Sequence, residues 1–383
     1  MPLKIFISVA DASGDRHAAE FITALRQLHP DIHIRGVGGP RMTESGAMLF
    51  HETVGGAAMG WRGALRALEV IRLLRRVRRR FQEDKPDLHV CIDSSAMNLP
   101  FAKMAKSMGI PVLYYIAPQL WASRESRIKQ VRRYVDKVAC ILPFEEGYYR
   151  SHGVDATFVG HPLFDELPVD RPTPAGPSLD ERPPIVGIVP GSRRGEVKAN
   201  LPHQLDVARR ISEAFPGTHF LIPTTSAVDA AVRQQCAGQN LKLEIKLNAF
   251  DELIPRCDLV ICKSGTSTLH VAAWGVPMIV VYRLNPLIWH GIARWLIKTK
   301  KIALVNILAG NVDLVPEFVP WHGSNKPVAD LAISMLRNPQ TLADQRAKLL
   351  ALVAPLDHRG ASKNTASIAL ELAMKNRSDK FRV

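Results

Sequence analysis

At 383 residues the chain is long for one hydrophobic core, and its 46% hydrophobic and 22% charged residues are ordinary globular proportions. These values exclude a disordered or fibrous protein and make two domains the natural expectation. The formal net charge of +14 points toward anionic partners, whether nucleic acid, a membrane face or phosphorylated substrates.

The N-terminus, "MPLKIFISVADASGD", passes straight from a strand-like run into a polar loop, without the length or cleavage site of a signal peptide. No run approaches the roughly 18 uninterrupted apolar residues of a spanning helix. Five cysteines with no C-x-x-C pair read as plain thiols in a reducing compartment, so a cytosolic protein is expected. The loop Ala12-Ser13-Gly14-Asp15 lacks dinucleotide-fingerprint spacing, and no P-loop lysine follows, so nicotinamide cofactors and ATP are not expected.

Strands are expected near 3–9, 32–36, 88–92, 111–116, 137–142 and 156–159, with helices at about 15–28, 63–82, 99–108, 124–134 and 144–152. Short β-branched strands separated by helices argue for a parallel sheet covered on both faces. Within the second helix, "RGALRALEVIRLLRRVRRR" places Val70, Leu74, Val77 and Phe81 on one side. Arg72, Arg75, Arg76, Arg79 and Arg80 lie on the other. This basic amphipathic helix suits an anionic lipid surface, and equally a surface helix packing its apolar face on a sheet. Its arginines lack interleaved aromatics and no nucleic-acid motif accompanies them, so nucleic acid is not expected.

The strand at 88–92 ends in "CIDSSAMNLP", where Asp93 closes the strand and Asn98 precedes a helix. A strand-end carboxylate is a candidate catalytic group, though more often a cap. The segment "HPLFDELPVDRPTPAGPSLDERPP" is dense in proline and aperiodic, and reads as a linker.

A second alternation begins at "IVGIVPG", with strands expected near 218–222, 241–246, 258–262, 277–281 and 302–305 and helices after about 326. Two of its strand-to-helix loops suit an anion. Pro190-Gly191-Ser192-Arg193 joins a glycine turn to an arginine, and Ser264-Gly265-Thr266 opens the next such helix. Together they suggest a diphosphate held by helix starts and arginine. The chain has no Asp-x-Asp pair and no His/Cys cluster at ligand spacing, so no metal is expected. The expected fold is α/β, two Rossmann-like doubly wound domains with a deep cleft between them. Residues 1–165 form the first, 166–184 the linker and 185–350 the second. Residues 351–383 form a helix and tail returning toward the first.

The stretches "GVGGPRM", "PDLHVCIDSSAMNLP", "YYIAPQLWASR", "ILPFEEGYYRSHGVDATFVGHPL", "PGSRRGEV", "SGTSTLHVAAWGVPMIVVYRLNP" and "NILAG" occur in this order along nearly the whole chain. Together they resemble the lipid-A-disaccharide synthase family. The resemblance implies a GT-B glycosyltransferase, peripheral on the cytoplasmic face of the inner membrane. It implies transfer of 2,3-diacylglucosamine from UDP-diacylglucosamine to the 6-hydroxyl of 2,3-diacylglucosamine 1-phosphate (lipid X), giving a β(1→6) disaccharide and UDP, without cofactor or metal.

On this resemblance Asp93 is the base. Ser192, Arg193, Ser264, Gly265, Thr266, His270 and Asn306 are the nucleotide side of the site. Ser13, Gly14, Asp15, Met59 and Gly60 belong to the acceptor-side loops, and the five arginines face an anionic membrane surface. The chain departs from the family pattern at Asp11, Ala96, Ser123 and His270, the last standing where this fold usually has a glutamate. A paralogue with another acceptor or reduced turnover, and a UDP-N-acetylglucosamine 2-epimerase-like enzyme, are the alternatives. The oligomeric state is left open.

Overall fold

The computed structural model describes residues 2–53, 63–123, 125–169, 171, 182–283 and 301–380. The expected site residues Met59 and Gly60, and most of the proline-rich segment, lie outside the described residues. The chain divides into two compact units, one of Met1–Glu166 with Leu356–Val383 and one of Leu167–Pro355.

The first unit holds β1 (Lys4–Ser8), β2 (His33–Gly38), β3 (Met48–Glu52), β4 (Leu88–Ile92), β5 (Val112–Tyr115), β6 (Lys137–Cys140) and β7 (Ala156–Phe158). All pair in parallel, in the order β3-β2-β1-β4-β5-β6-β7. The central strands β4 and β5 are buried along their whole length, as expected where helices cover both faces. The edge strand β3 has no counterpart among the expected elements. Its residues alternate between exposed and half-buried, so "MLFHE" lacks the continuous apolar run that marks the central strands.

The helices are α1 (Ala12–Leu28), α2 (Pro40–Glu44), α3 (Gly63–Glu83), α4 (Ser95–Ser107), α5 (Ile128–Tyr134), α6 (Pro143–Ser151) and α7 (Pro162–Glu166). In α3, Leu73, Val77 and Phe81 are buried in the core with Phe6, Val37 and Phe101, and Val70 and Leu74 pack against them. Burial of each large apolar side chain contributes about 1.5–3 kcal/mol. From Val70 onward most of the apolar face of this basic helix is therefore used inside its own unit, and the arginines are turned outward together with Ile71. Arg72, Arg75, Arg76 and Arg79 are exposed, and Arg80 pairs with Glu83 at 3.0 Å.

The second unit repeats the plan with β8 (Ile185–Val189), β9 (His219–Thr224), β10 (Lys242–Leu247), β11 (Leu259–Lys263), β12 (Met278–Val281) and β13 (Glu317–Phe318). Their parallel order is β10-β9-β8-β11-β12-β13. Its helices are α8 (Arg194–Ala214), α9 (Asp229–Cys236), α10 (Phe250–Leu253), α11 (Ser267–Ala273), α12 (Leu304–Leu308), α13 (Lys326–Leu336) and α14 (Pro339–Val353).

The strand expected at 302–305 is instead the entry to α12, and the sixth strand is β13. The carboxylate of Glu317 decides this. It accepts from the amides of Ile302 and Ala303, at 3.3 and 3.0 Å, just before the helix, so those amides are not used in a sheet.

The last helix, α15 (Ala361–Lys380), packs on α1 of the first unit. Asp165 accepts from Gly360 N at 2.6 Å and Ser362 N at 3.2 Å, satisfying the first amides of α15. All five cysteines are buried free thiols.

Candidate active site

Each sheet reverses its winding between two central strands, β1 and β4 in the first unit and β8 and β11 in the second. Open α/β sheets bind ligands outside the carboxyl ends of the strands at such a switch point. Four sequence-predicted loops fall there, two in each unit.

In the first unit the two loops touch. A Cβ added at Gly14 would lie 3.7 Å from Asp93 Cβ, an ordinary contact, but 2.9 Å from Val9 Cγ1, so glycine lets the start of α1 sit close against the end of β1. Asp11 caps α1 by accepting from Gly14 N at 2.9 Å. Ser13 is exposed beside it.

Asp93 is half-buried with φ +56°, and Ser94 follows at φ +21°. Ile116, at the end of the adjacent β5, has φ +54°. For non-glycine residues, and most of all for β-branched isoleucine, this region is strained, and such strain clusters at functional sites. The strain at Asp93 is held by donors to its carbonyl, from Asn98 Nδ2 at 2.9 Å and the Tyr114 hydroxyl at 2.7 Å. Asp93 Oδ1 accepts from Ser94 N at 2.7 Å. Asn98 lies inside α4 rather than before it. It is fully buried and also binds Ile92 O and the Ser8 hydroxyl, which in turn meets His89 Nε2 at 2.9 Å. A buried network beneath the sheet edge thus fixes the carboxylate's backbone.

Asp15 does not belong to the acceptor side. It is 2% exposed, and its carboxylate accepts from the amides of Gly39, Arg41 and Met42 at 2.9–3.2 Å. It therefore anchors the glycine turn and the start of α2, turned into the protein rather than toward solvent.

The stretches "YYIAPQLWASR" and "ILPFEE" meet through Trp121 Nε1, which donates to Glu145 Oε1 at 3.0 Å. Glu145 is buried and also accepts from Leu142 N at 3.1 Å. Burial raises its carboxyl to about 7, against the opposing pull of these donors. Neither partner was singled out from the sequence, although both lie in quoted motifs.

In the second unit Gly191 has φ +116°, and a Cβ there would fall 2.5 Å from Glu196 Oε2. Ser192 is exposed, and so is Arg193, which donates to Glu196 Oε1 at 3.1 Å. Lys263, at the end of β11, reaches the same oxygen at 3.0 Å and lies 4.6 Å from the centre of the Tyr282 ring. Lys263 was missed in the sequence, where it stands one residue before the serine-glycine-threonine turn. Gly265 and Thr266 are accessible at the start of α11, and Thr268 returns its hydroxyl to Gly265 O at 2.8 Å.

Three residues expected on the nucleotide side are committed elsewhere. Ser264 is buried and gives its hydroxyl to Ile302 O at 3.2 Å. Asn306 is fully buried, binding Val315 O at 2.9 Å, Glu317 Oε2 at 3.1 Å and Val315 N at 2.9 Å, so it braces the turn after α12. His270 stacks on Phe250 at 4.1 Å, and its Nε2 lies 2.6 Å from Asp251 Oδ1, which also accepts from Trp274 Nε1 at 2.8 Å.

A sequence profile described as lipid-A-disaccharide synthetase matches residues 5–372. The chain belongs to the lipid-A-disaccharide synthetase family. The lipid-A-disaccharide synthase of Trichlorobacter lovleyi is 35% identical over 376 residues, covering 97% of this chain and 98% of that one. Those of Geobacter sulfurreducens and Anaeromyxobacter dehalogenans are 34% and 36% identical over similar spans. Among solved structures, Acinetobacter baumannii MurG aligns with TM-score 0.57 at 16% identity, covering 97% of this chain and all of that one. S. aureus MnaA in complex with UDP aligns with TM-score 0.64 at 12% identity, covering 94% of each. At such identities the two structures establish the fold alone, two Rossmann-like domains of GT-B type.

Family membership establishes the activity, a glycosyltransferase of lipid A biosynthesis that forms the lipid A disaccharide. Its substrates are a UDP-sugar donor and a lipid acceptor. Among the described residues no helix is long and apolar enough to cross a membrane.

Proposed function

We propose that the chain carries out one inverting transfer, with Asp93 as its base. The donor is UDP-2,3-diacylglucosamine and the acceptor is the 6-hydroxyl of 2,3-diacylglucosamine 1-phosphate. The acceptor oxygen forms a bond to the anomeric carbon as the bond from that carbon to the diphosphate breaks. The hydroxyl proton passes to Asp93, and UDP leaves as the anion. The observation that carries the reading is the strained, half-buried Asp93, fixed through Asn98 and Tyr114 at the first unit's switch point.

Negative charge grows on the leaving diphosphate, so stabilising it is the second requirement. Arg193, Ser192 and the Gly265–Thr266 turn supply exposed donors, and Lys263 adds a charge behind them. No divalent metal is needed for this step. After chelation, added Mg2+ is expected to leave turnover unchanged, and turnover that rises with Mg2+ overturns this part.

The exposed arginines of α3 bring the enzyme to the anionic cytoplasmic face of the inner membrane, where both lipid substrates reside. Incubating the purified protein with UDP-diacylglucosamine and the lipid 1-phosphate tests the whole reading. Release of UDP only when both are present, with a β(1→6) product, supports it. UDP release without disaccharide overturns it.

A further inference from the structure

Outside the two loop clusters, one group of side chains stands out. His17 and Glu20 lie three residues apart on α1 and so share a face. Glu166, the last residue of α7, comes up beside them where the chain leaves the first unit. One ligand-capable atom from each lies within 4.8 Å of the other two.

Two of these groups each carry an orphaned atom. His17 Nδ1 and Glu20 Oε2 are shielded from water, and neither has a hydrogen-bond partner. Buried polar atoms are nearly always satisfied, so two such atoms in one cluster call for a missing partner. Arg16 does not supply it, since its guanidinium reaches Glu166 Oε2 at 3.1 Å on the more exposed side. A proton shared by the two carboxylates would ease their repulsion but would leave the imidazole nitrogen unused. A divalent cation takes one lone pair from each of the three.

We infer that His17, Glu20 and Glu166 form a binding site for a divalent transition metal. One imidazole nitrogen and two carboxylate oxygens suit Zn2+ or a neighbouring first-row ion, with water completing the shell. Metal bonds of about 2.0–2.2 Å bring ligand atoms closer together than the 4.8 Å within which these atoms lie. Rotation of the flexible Glu20 and Glu166 side chains closes that gap. Once bound, the ion ties the body of α1 to the point at which the chain crosses between units. The site is separate from the transfer chemistry, which uses none of these three residues.

Equilibrium dialysis of the chelator-treated full-length protein against Zn2+ tests the inference, with Co2+ as a spectroscopic probe. The expected result is one tightly held equivalent, a raised Tm, and Co2+ visible absorption that is lost in both His17→Ala and Glu20→Gln. Binding should weaken more than about 10-fold in each, beyond the loss that an outer-shell partner alone causes. Circular dichroism identifies a variant that fails to fold. Glu20→Gln keeps the side chain's size, so the test survives failure of His17→Ala. Absence of a stoichiometric site overturns the inference, as does Zn2+ binding that persists in Glu20→Gln. A proton-sharing carboxyl pair with no metal affinity overturns it equally.

Discussion

Lys263 Nζ lies 3.0 Å from Glu196 Oε1, with the two side chains only 13% and 12% exposed. The pair joins the end of β11 to the first turn of α8, and so ties both diphosphate-suited loops of the second unit to one carboxylate. Burial pushes Glu196 up, but the charges of Lys263 and Arg193 outweigh it and hold the carboxyl below its ordinary range.

Glu196→Gln leaves Lys263 nearly buried without its counter-ion. Removing one partner of a largely buried pair should cost about 2–4 kcal/mol at pH 7, read by urea denaturation. Because the folded pKa is depressed, the wild-type advantage is present above the ordinary carboxylate pKa and lost as pH falls through the folded value. A cost below about 0.5 kcal/mol would mark the pair as screened surface charge.

Asp93→Asn keeps the shape and every backbone contact of the strained turn while removing the proposed base. Turnover should fall about 10²–10⁴-fold with little change in donor binding. Near-native turnover in the variant would move the base elsewhere.

The two-sheet plan was legible because most central strands are unbroken apolar runs bounded by polar loops. Asp93, Arg193 and the turn at Gly265 stand out for the same reason, since each closes or follows such a run. What could not be read is the partner each polar residue chooses. Asp15, Ser264 and Asn306 have the residue types of a ligand site, but neighbours distant in sequence consume their hydrogen bonds. Lys263 and Glu145 show the opposite failure, because their importance lies in Glu196 and Trp121, which only tertiary structure brings to them. The face of α3 was ambiguous by nature, as one periodicity serves a core and a membrane alike.

His270 and Trp274 both hold the carboxylate of Asp251, at 2.6 and 2.8 Å, beside the start of α11. His270→Ala removes one of those two donors and the stacking partner of Phe250. If α11, braced by this contact, presents the Gly265–Thr266 turn to the diphosphate as proposed, KM for the UDP-sugar should rise about 10-fold, or 1.4 kcal/mol, with kcat little changed. An unchanged KM would make the pair a local brace.

Charge reversal at Arg72, Arg76 and Arg79 should release the protein from anionic vesicles and leave its stability intact. The apolar face of α3 is already buried, and exposed substitutions usually change stability by less than about 0.5 kcal/mol. Each arginine near the membrane contributes about 1 kcal/mol, an attraction screened within about 10 Å at 0.1 M salt. Sedimentation with vesicles at two salt concentrations checks this, and unchanged partitioning would leave these arginines as solvated surface.

His89 makes stability fall in acid. It is completely buried beneath the Asp93 loop, with Nε2 at 2.9 Å from the Ser8 hydroxyl and its ring edge-on to Phe6, Phe81 and Phe101. Desolvation lowers it to about 3 from 6.5, so the folded protein keeps it neutral. The unfolded chain binds a proton at a higher pH than the folded one. The stabilisation is therefore whole above about pH 6.5 and is lost as pH falls toward 3, at up to about 1.4 kcal/mol per pH unit. His89→Asn keeps a polar partner for Ser8 and cannot titrate. Urea midpoints of wild type and variant, measured from pH 7 to 4, should converge as the pH falls. Parallel curves would assign the acid sensitivity to other groups.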